Sequence, residues 1–191
     1  TKLAKVATTE MGKPLKESIG EVEKCAWALE FYADHGDSFL SDEVLNTDAR
    51  KSFLTFEPLG VIGSIMPWNF PYWQALRFAA PCLMGGNVIV MKPSSITLQS
   101  GIEIEKAFTE SGVPDGIFQT VIGSVDVANH LIDSDVSAVT FTGSTNAGAK
   151  VGERAAMHLK KCVLELGGSD PFIVLDDAII EKAAEGAVKG R

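Results

Sequence analysis

The chain alternates short apolar, β-branched runs with helical patterns from about residue 53 onward. The apolar runs predict strands over residues 53–57, 61–66, 87–91, 117–122, 138–141, 162–166 and 172–175. The patterns between and after them predict helices over residues 72–84, 98–111, 125–132, 147–158 and 179–190. This alternation favours an α/β fold, a Rossmann-like parallel sheet with helices on both faces. Ligands of such sheets gather at the carboxyl ends of the strands.

A long amphipathic helix is predicted before this region, over residues 14–40. Its apolar stripe largely follows the three-and-four spacing of one helix face: Leu15, Ile19, Val22, Ala26, Leu29, Ala33 and Leu40. The polar stretch 41–51 is interpreted as a linker or an exposed turn. We therefore predict an N-terminal helical segment, residues 1–50, followed by an α/β domain, residues 51–191.

Composition argues against several classes of protein. With 191 residues and 46% hydrophobic content, the chain can bury one substantial core. A net charge of −8 with scattered Lys and Arg argues against nucleic acid and anionic membranes as partners. No apolar run approaches the roughly 20 residues of a membrane span, and no signal-peptide pattern opens the chain, so a cytoplasmic location is expected. The missing initial methionine and the helical pattern at the end suggest a piece of a longer protein.

The cysteines and histidines are isolated in the sequence. Cys25, Cys82 and Cys162 lie singly within apolar patterns, without the pairing of a disulfide framework or the spacing of metal ligands. They are predicted to be buried free thiols. The three histidines have no accompanying ligand cluster, so we predict no metal site.

An asparagine stands between two prolines in Pro67-Trp68-Asn69-Phe70-Pro71, directly after an apolar run. Proline fixes its own φ and biases the preceding residue toward extended backbone, so the Asn69 backbone is held stiffly. A stiffly held amide donor suits the stabilisation of a developing oxyanion. The same residues also suit a plain connection in which Asn69 caps a helix.

Two further motifs follow apolar runs and suit a nucleotide. Lys92, Ser94 and Ser95 offer a cation and two hydroxyls to a phosphate or a ribose, although such residues are common in ordinary turns. Gly143 and Ser144 open a helical pattern, where close backbone approach and free N–H groups would cradle a dinucleotide phosphate. A plain helix cap is the alternative for the second motif.

A carboxylate, Glu165, ends the apolar run before Gly167 and Gly168. A carboxylate in apolar surroundings is suited to act as a general base, and the two glycines would let a ligand come close. A salt-bridged glutamate at a strand end is the alternative.

Taken together, these motifs resemble the NAD(P)-dependent aldehyde dehydrogenase family, from Thr9-Glu10-Met11-Gly12-Lys13-Pro14 to the glycines after Glu165. In motif the chain is most similar to the succinate-semialdehyde branch of that family. The resemblance implies oxidation of a small-molecule aldehyde, such as succinate semialdehyde, to a carboxylate through a cysteine thioester. It also implies NADP or NAD as cofactor, and a homo-oligomer, either a dimer or a tetramer.

The resemblance also implies roles for single residues. Asn69 matches the amide that stabilises the oxyanion, and Glu165 matches the general base. Arg77 matches an arginine that holds a substrate carboxylate, although a surface arginine on an amphipathic helix is the alternative. The residues expected to bind the cofactor are Met66, Pro67, Trp68, Lys92, Ser94, Ser95, Gly143, Ser144 and Leu166.

Two departures from the family pattern refine these expectations. NAD-preferring members often carry a glutamate at the position of Ser95, so we predict that NADP is tolerated or preferred. The catalytic cysteine of the family lies past Arg191, and none of the cysteines present fits that role. The chain is therefore predicted to be the cofactor-binding portion of an aldehyde dehydrogenase, inactive alone. The alternative is a non-catalytic module that binds a nucleotide or forms oligomers.

Overall fold

The computed structural model describes residues 2–190. Two helices, α1 (Lys2–Met11) and α2 (Leu15–Phe39), come first. A two-stranded antiparallel pair follows, formed by β1 (Glu43–Val44) and β2 (Phe53–Leu54). The remaining elements are β3 (Val61–Ile65), α3 (Trp73–Met84), β4 (Val88–Lys92), α4 (Leu98–Glu110), β5 (Phe118–Thr120), α5 (Val125–Asp133), β6 (Ala138–Thr142), α6 (Thr145–Met157), β7 (Lys161–Glu165) and α7 (Ile180–Lys189).

The main sheet is parallel, with the strand order β5-β4-β3-β6-β7. The chain moves outward from β3 through β4 to β5, then crosses back so that β6 pairs with the other side of β3. Ile65 at the end of β3 is in register with Lys92 on one side and Phe141 on the other. The order therefore reverses at β3, which makes the β3–β6 boundary the topological switch point of the sheet. The predicted α/β fold is confirmed.

Two apolar clusters cover the two faces of the sheet. Ile89 and Met91 of β4 point into one cluster with Tyr72 and Phe118, beneath α3 and α4. Val90, between them in sequence, packs against the other cluster beneath α5 and α6, because successive strand residues point to opposite faces. Both faces of the central strand β4 are thus covered, as is usual in a parallel sheet, whereas the edge strand β7 is mostly exposed.

The helix α2 is confirmed, but its buried face differs from the predicted stripe. Leu15, Ala26 and Ala33 are exposed, whereas Val22 and Leu29 are half-buried. The buried residues are Ser18, Glu21, Cys25, Ala28 and Gly36. These side chains are small or polar because α2 approaches its neighbours closely: a Cβ on Gly36 would lie 2.7 Å from the sulfur of Met84 in α3.

The strand predicted over residues 172–175 is wrong. This segment lies between β7 and α7 without regular secondary structure, and its four apolar side chains are exposed. An apolar run becomes a strand only where a neighbouring strand satisfies its N–H and C=O groups. Within residues 2–190, β7 is the last strand on its side of the sheet.

Two short elements were not predicted. The helix α1 escapes the apolar pattern because its buried residues, Ala4 and Ala7, are small. The strand β1 lies inside the stretch interpreted as a linker, and Val44 pairs with Phe53.

Contacts cross the predicted division at residue 50. Helix α2 packs on α3, and Lys2 Nζ in α1 lies 2.6 Å from Glu103 Oε2 in α4. The division into two segments stays a prediction, but α1 and α2 cover the sheet domain and do not stand apart from it. No helix in residues 2–190 has the length and apolar character needed to cross a membrane.

Phe118 should contribute to folding and Phe172 should not. Phe118 is buried and stacks on Phe108 at a ring distance of 4.9 Å, whereas Phe172 is 60% exposed. We expect Phe118→Ala to lower the free energy of unfolding by about 3–5 kcal/mol. The control Phe172→Ala should change it by no more than about 0.5 kcal/mol. Urea denaturation of the 191-residue chain measures both, and equal losses would contradict the assigned core.

Candidate functional site

Four loops that carry the predicted site residues meet at the carboxyl edge of the sheet. Two backbone hydrogen bonds extend the strand pairing just past the strand ends. Met66 N–H donates to the Lys92 carbonyl at 3.1 Å, and Gly143 N–H donates to the Glu165 carbonyl at 3.0 Å. The loops after β3, β4, β6 and β7 therefore start at nearly the same level of the sheet.

The Asn69 loop leaves β3 at this edge and turns directly into α3. Met66 is buried, whereas Trp68 and Asn69 are exposed. The first helical turn is already set by Gln74 N–H donating to the Phe70 carbonyl at 2.9 Å. Tyr72 is the cap residue of α3, and no side-chain cap bond is formed there. The alternative role of Asn69 as a helix cap is therefore wrong, and the residue is exposed at this edge.

The Lys92 motif ends β4 beside this loop. The Lys92 side chain is buried, its Nζ donates to the Pro93 carbonyl at 2.9 Å, and burial lowers the pKa of its ammonium. Ser94 Oγ accepts from Ile96 N–H at 3.3 Å, as in an ordinary turn, whereas Ser95 is exposed. This part of the edge therefore has one buried cation, Lys92, and one exposed hydroxyl three residues later, Ser95.

The Gly143 motif joins β6 to α6. Ser144 is the cap residue of α6, and its Oγ accepts from Ala147 N–H at 3.3 Å. A Cβ on Gly143 would lie 2.5 Å from the ring of Phe141, so a side chain at this position would displace that ring. The predicted helix cap is present, and the helix directs the positive end of its dipole toward the edge.

Glu165 and Arg77 lie together at this edge. Arg77 Nη2 in α3 is 3.4 Å from Glu165 Oε2 at the end of β7. Glu165 is not enclosed by apolar groups as the sequence suggested, since its side chain is 57% exposed. The salt-bridged alternative is the arrangement observed. An exposed pair with one contact is worth little free energy, so either partner can exchange it for another ion.

Three charged residues, Lys13, Glu21 and Glu10, contact the segments that follow β3 and β4, and none of them was predicted to be a site residue. Glu21 in α2 is buried, and its Oε1 accepts from the backbone N–H groups of Tyr72 at 2.8 Å and Trp73 at 2.9 Å. Its Oε2 lies 2.5 Å from Lys13 Nζ. Lys13 Nζ in turn lies 3.7 Å from the centroid of the Phe70 ring. This pair, Lys13–Glu21, is called the buried ion pair below.

Glu10 acts in the same way on the next helix. Its Oε1 accepts from Gln99 N–H at 2.7 Å, and its Oε2 accepts from Ser100 N–H at 2.8 Å and from Ser100 Oγ at 2.6 Å. Two carboxylates from the N-terminal helices therefore cap α3 and α4. The apolar pattern of the sequence does not reveal Glu21, because the buried face of α2 that contains it is made of small and polar residues.

The three cysteines are free thiols away from this chemistry. Cys25 is buried as predicted, whereas Cys82 and Cys162 are half-buried. Burial raises the pKa of Cys25 and of Cys82 to about 12 each, with the Glu21 charge adding to the effect at Cys25. Burial also raises the pKa of Cys162. No cluster of metal-binding side chains occurs among residues 2–190.

The parallel sheet, covered by helices on both faces and carrying a polar edge at its switch point, defines a doubly wound α/β protein. The chain belongs to the aldehyde dehydrogenase family, whose model matches residues 1–191. It is 50% identical over 189 residues to the "Probable succinate-semialdehyde dehydrogenase" (NADP+) of Synechocystis sp.. That match covers 98% of the chain and 42% of the relative. A succinate semialdehyde dehydrogenase (NAD(P)+) of Escherichia coli is 43% identical over 190 residues, covering 99% of the chain and 41% of the relative.

Solved structures agree with this assignment. The succinic semialdehyde dehydrogenase of Streptococcus pyogenes, solved with NADP+, matches with a TM-score of 0.92 and 39% identity. That match covers 96% of the chain and 41% of the solved protein. The chain therefore spans about two fifths of the length of these relatives.

The thiols should resist alkylation in the folded chain. With a pKa of about 12 for Cys25 and Cys82, the thiolate fraction at pH 8 is on the order of 10⁻⁴. We expect iodoacetamide at pH 8 to label these two residues at least about 100-fold more slowly in buffer than in 6 M guanidinium, by peptide mass spectrometry. Rapid native labelling of either thiol would contradict this.

Proposed function

We propose that the chain is the cofactor-binding portion of a longer aldehyde dehydrogenase that oxidises a semialdehyde acid, such as succinate semialdehyde, with NADP or NAD. One observation carries the proposal: Asn69, Lys92, the Gly143–Ser144 turn and Glu165 share one sheet edge in a chain of this family. The names of the relatives support the same substrate class.

The residues at the edge fit a dinucleotide phosphate. The α6 N-terminus and Ser144 would hold the pyrophosphate, while Lys92, Ser94 and Ser95 would hold the ribose or its 2′-phosphate. Ser95 places no carboxylate after β4, so nothing at that position repels a 2′-phosphate. Met66, Pro67, Trp68 and Leu166 would line the cleft. The bound cofactor would supply the acceptor for the hydride of the aldehyde carbon.

The chain's own residues would act on oxygen and protons. The Asn69 amide would donate to the oxyanion that develops when a cysteine thiolate from another part of the enzyme adds to the aldehyde carbon. Glu165 would later take a proton from water as the water oxygen bonds to the thioester carbon and the thiolate leaves. The exposure of both side chains at one edge supports these roles.

Arg77 would bind the substrate carboxylate, and its exposed pair with Glu165 supports this because the guanidinium already lies at the edge.

In the longer enzyme, Arg77→Ala should raise KM for succinate semialdehyde about tenfold or more, since a charge-assisted hydrogen bond is lost. KM for propanal should stay within about twofold. Arg154→Ala, which removes another ion-paired arginine, is the control and should change neither KM.

A wild-type enzyme that oxidises no aldehyde would reject the proposed function. Equal effects of Arg77→Ala on both substrates would reject only the carboxylate-binding role. NADP binding without turnover would favour the non-catalytic module instead. Subunit association and cytoplasmic location stay predictions.

Ser95 should set cofactor preference. We expect Ser95→Glu to raise KM for NADP relative to KM for NAD at least about tenfold, because the new carboxylate repels a 2′-phosphate and accepts from a 2′-hydroxyl. Ser95→Gln has the same length without the charge and should leave the ratio within about threefold. Steady-state kinetics with both cofactors measures this, and a wild-type enzyme that strongly prefers NAD would contradict the proposed tolerance of NADP.

A further inference from the structure

We infer that Lys13 and Glu21 are positioning residues for Asn69, acting through the buried ion pair that they form. The role depends on the proposed function, because Asn69 has a task only in a reaction that develops an oxyanion. Neither residue reaches the exposed edge itself: both side chains are buried beneath the Asn69 loop.

The buried ion pair contacts the loop on the C-terminal side of Asn69, at Phe70, Tyr72 and Trp73. Lys13 Nζ lies over the ring of Phe70, the residue directly after Asn69, at 3.7 Å from the centroid. Glu21 Oε1 receives the N–H groups of Tyr72 and Trp73. On the N-terminal side, Met66 N–H is fixed to the Lys92 carbonyl. The short loop between these anchors has two prolines, so little freedom is left to the Asn69 backbone.

The charges of Lys13 and Glu21 fix the Asn69 loop better than an apolar contact would. The first N–H groups of a helix need acceptors, and a carboxylate there also complements the helix dipole. Lys13 neutralises the buried carboxylate that provides the cap, and three directed contacts fix Glu21, while Lys13 is fixed by Glu21 and the Phe70 ring. Directed contacts restrain the loop to one geometry, which an oxyanion donor needs because a displacement of about 1 Å can cost about 100-fold in rate.

Glu10 provides a matched control within the same chain. It caps α4 by the same kind of bonds that Glu21 makes to α3, but α4 follows a different loop. In both residues the two carboxylate oxygens serve different partners. Glutamine has one acceptor oxygen, so Glu21→Gln and Glu10→Gln each lose one of those contacts with little change of shape.

The test compares these variants in the longer enzyme. We expect Glu21→Gln to lower kcat for succinate semialdehyde about 10- to 100-fold with KM within about twofold, because transition-state stabilisation is lost and substrate binding is kept. Glu10→Gln acts on the helix that follows the Lys92–Ser95 loop, so it should raise KM for NADP while kcat at saturating NADP stays within about twofold. Since Glu21→Gln leaves Lys13 without its anion, the double variant Lys13→Met/Glu21→Leu, which removes both charges and keeps the volume, guards against loss of folding. It should show the same fall in kcat.

Hydrogen exchange provides a readout that does not need turnover. The Glu21 variants should speed exchange in a peptide covering residues 66–76 and leave residues 97–104 unchanged, and Glu10→Gln should do the reverse. A kcat within twofold of wild type in both Glu21 variants would overturn the inference. So would equal losses of kcat in the Glu10 and Glu21 variants, or unchanged exchange over 66–76. If the wild-type enzyme oxidises no aldehyde, the proposed function fails, and unaltered exchange would separately overturn the positioning role.

Discussion

The capping of two helices by distant carboxylates is the interaction on which the functional edge depends. A parallel sheet sends α3 and α4 away from the same edge that carries the Asn69 and Lys92 loops, so the N-termini of these helices set where the loops lie. Glu21 and Glu10 satisfy the free N–H groups at those two points. Losing one partner of the buried ion pair would cost about 3–5 kcal/mol, a large share of the stability of an ordinary domain.

At the carboxyl edge of the sheet, a fixed backbone carries charged side chains that can change partners. The backbone ladders keep β3, β4 and β6 in register up to the loops. Above them, the Arg77–Glu165 pair is exposed and makes one contact. A site of this kind can keep its backbone fixed while its charged side chains change partners, as binding and proton transfer both require.

The sequence predicted the parallel α/β fold and most elements because period-two and period-3.6 patterns are local signals. It failed where the outcome depended on distant partners. Residues 172–175 have a strand composition, yet no strand lies beside them among the described residues, and they stay irregular. The predicted stripe of α2 missed the buried face because that face contains Ser18, Glu21 and Gly36. Glu21 caps residues 51 positions away, and no local pattern carries that pairing.

In the candidate site, too, local patterns were predictive and features that depend on distant residues were not. The meeting of Asn69, Lys92, Ser144 and Glu165 at one edge follows from the sequence, because each lies at or just after the end of an apolar run. The exposure of Glu165 was not found, because it depends on what surrounds the end of β7 in space.

Burial of one ion pair and exposure of the other give the molecule two different responses to ionic strength. Water and dissolved ions reach Arg77 and Glu165, and their attraction fades once the Debye length falls to about 3 Å at 1 M salt. Lys13 and Glu21 are shielded by protein, so salt leaves their attraction largely intact. Added salt would therefore loosen the charged groups of the edge while the loop beneath them keeps its shape.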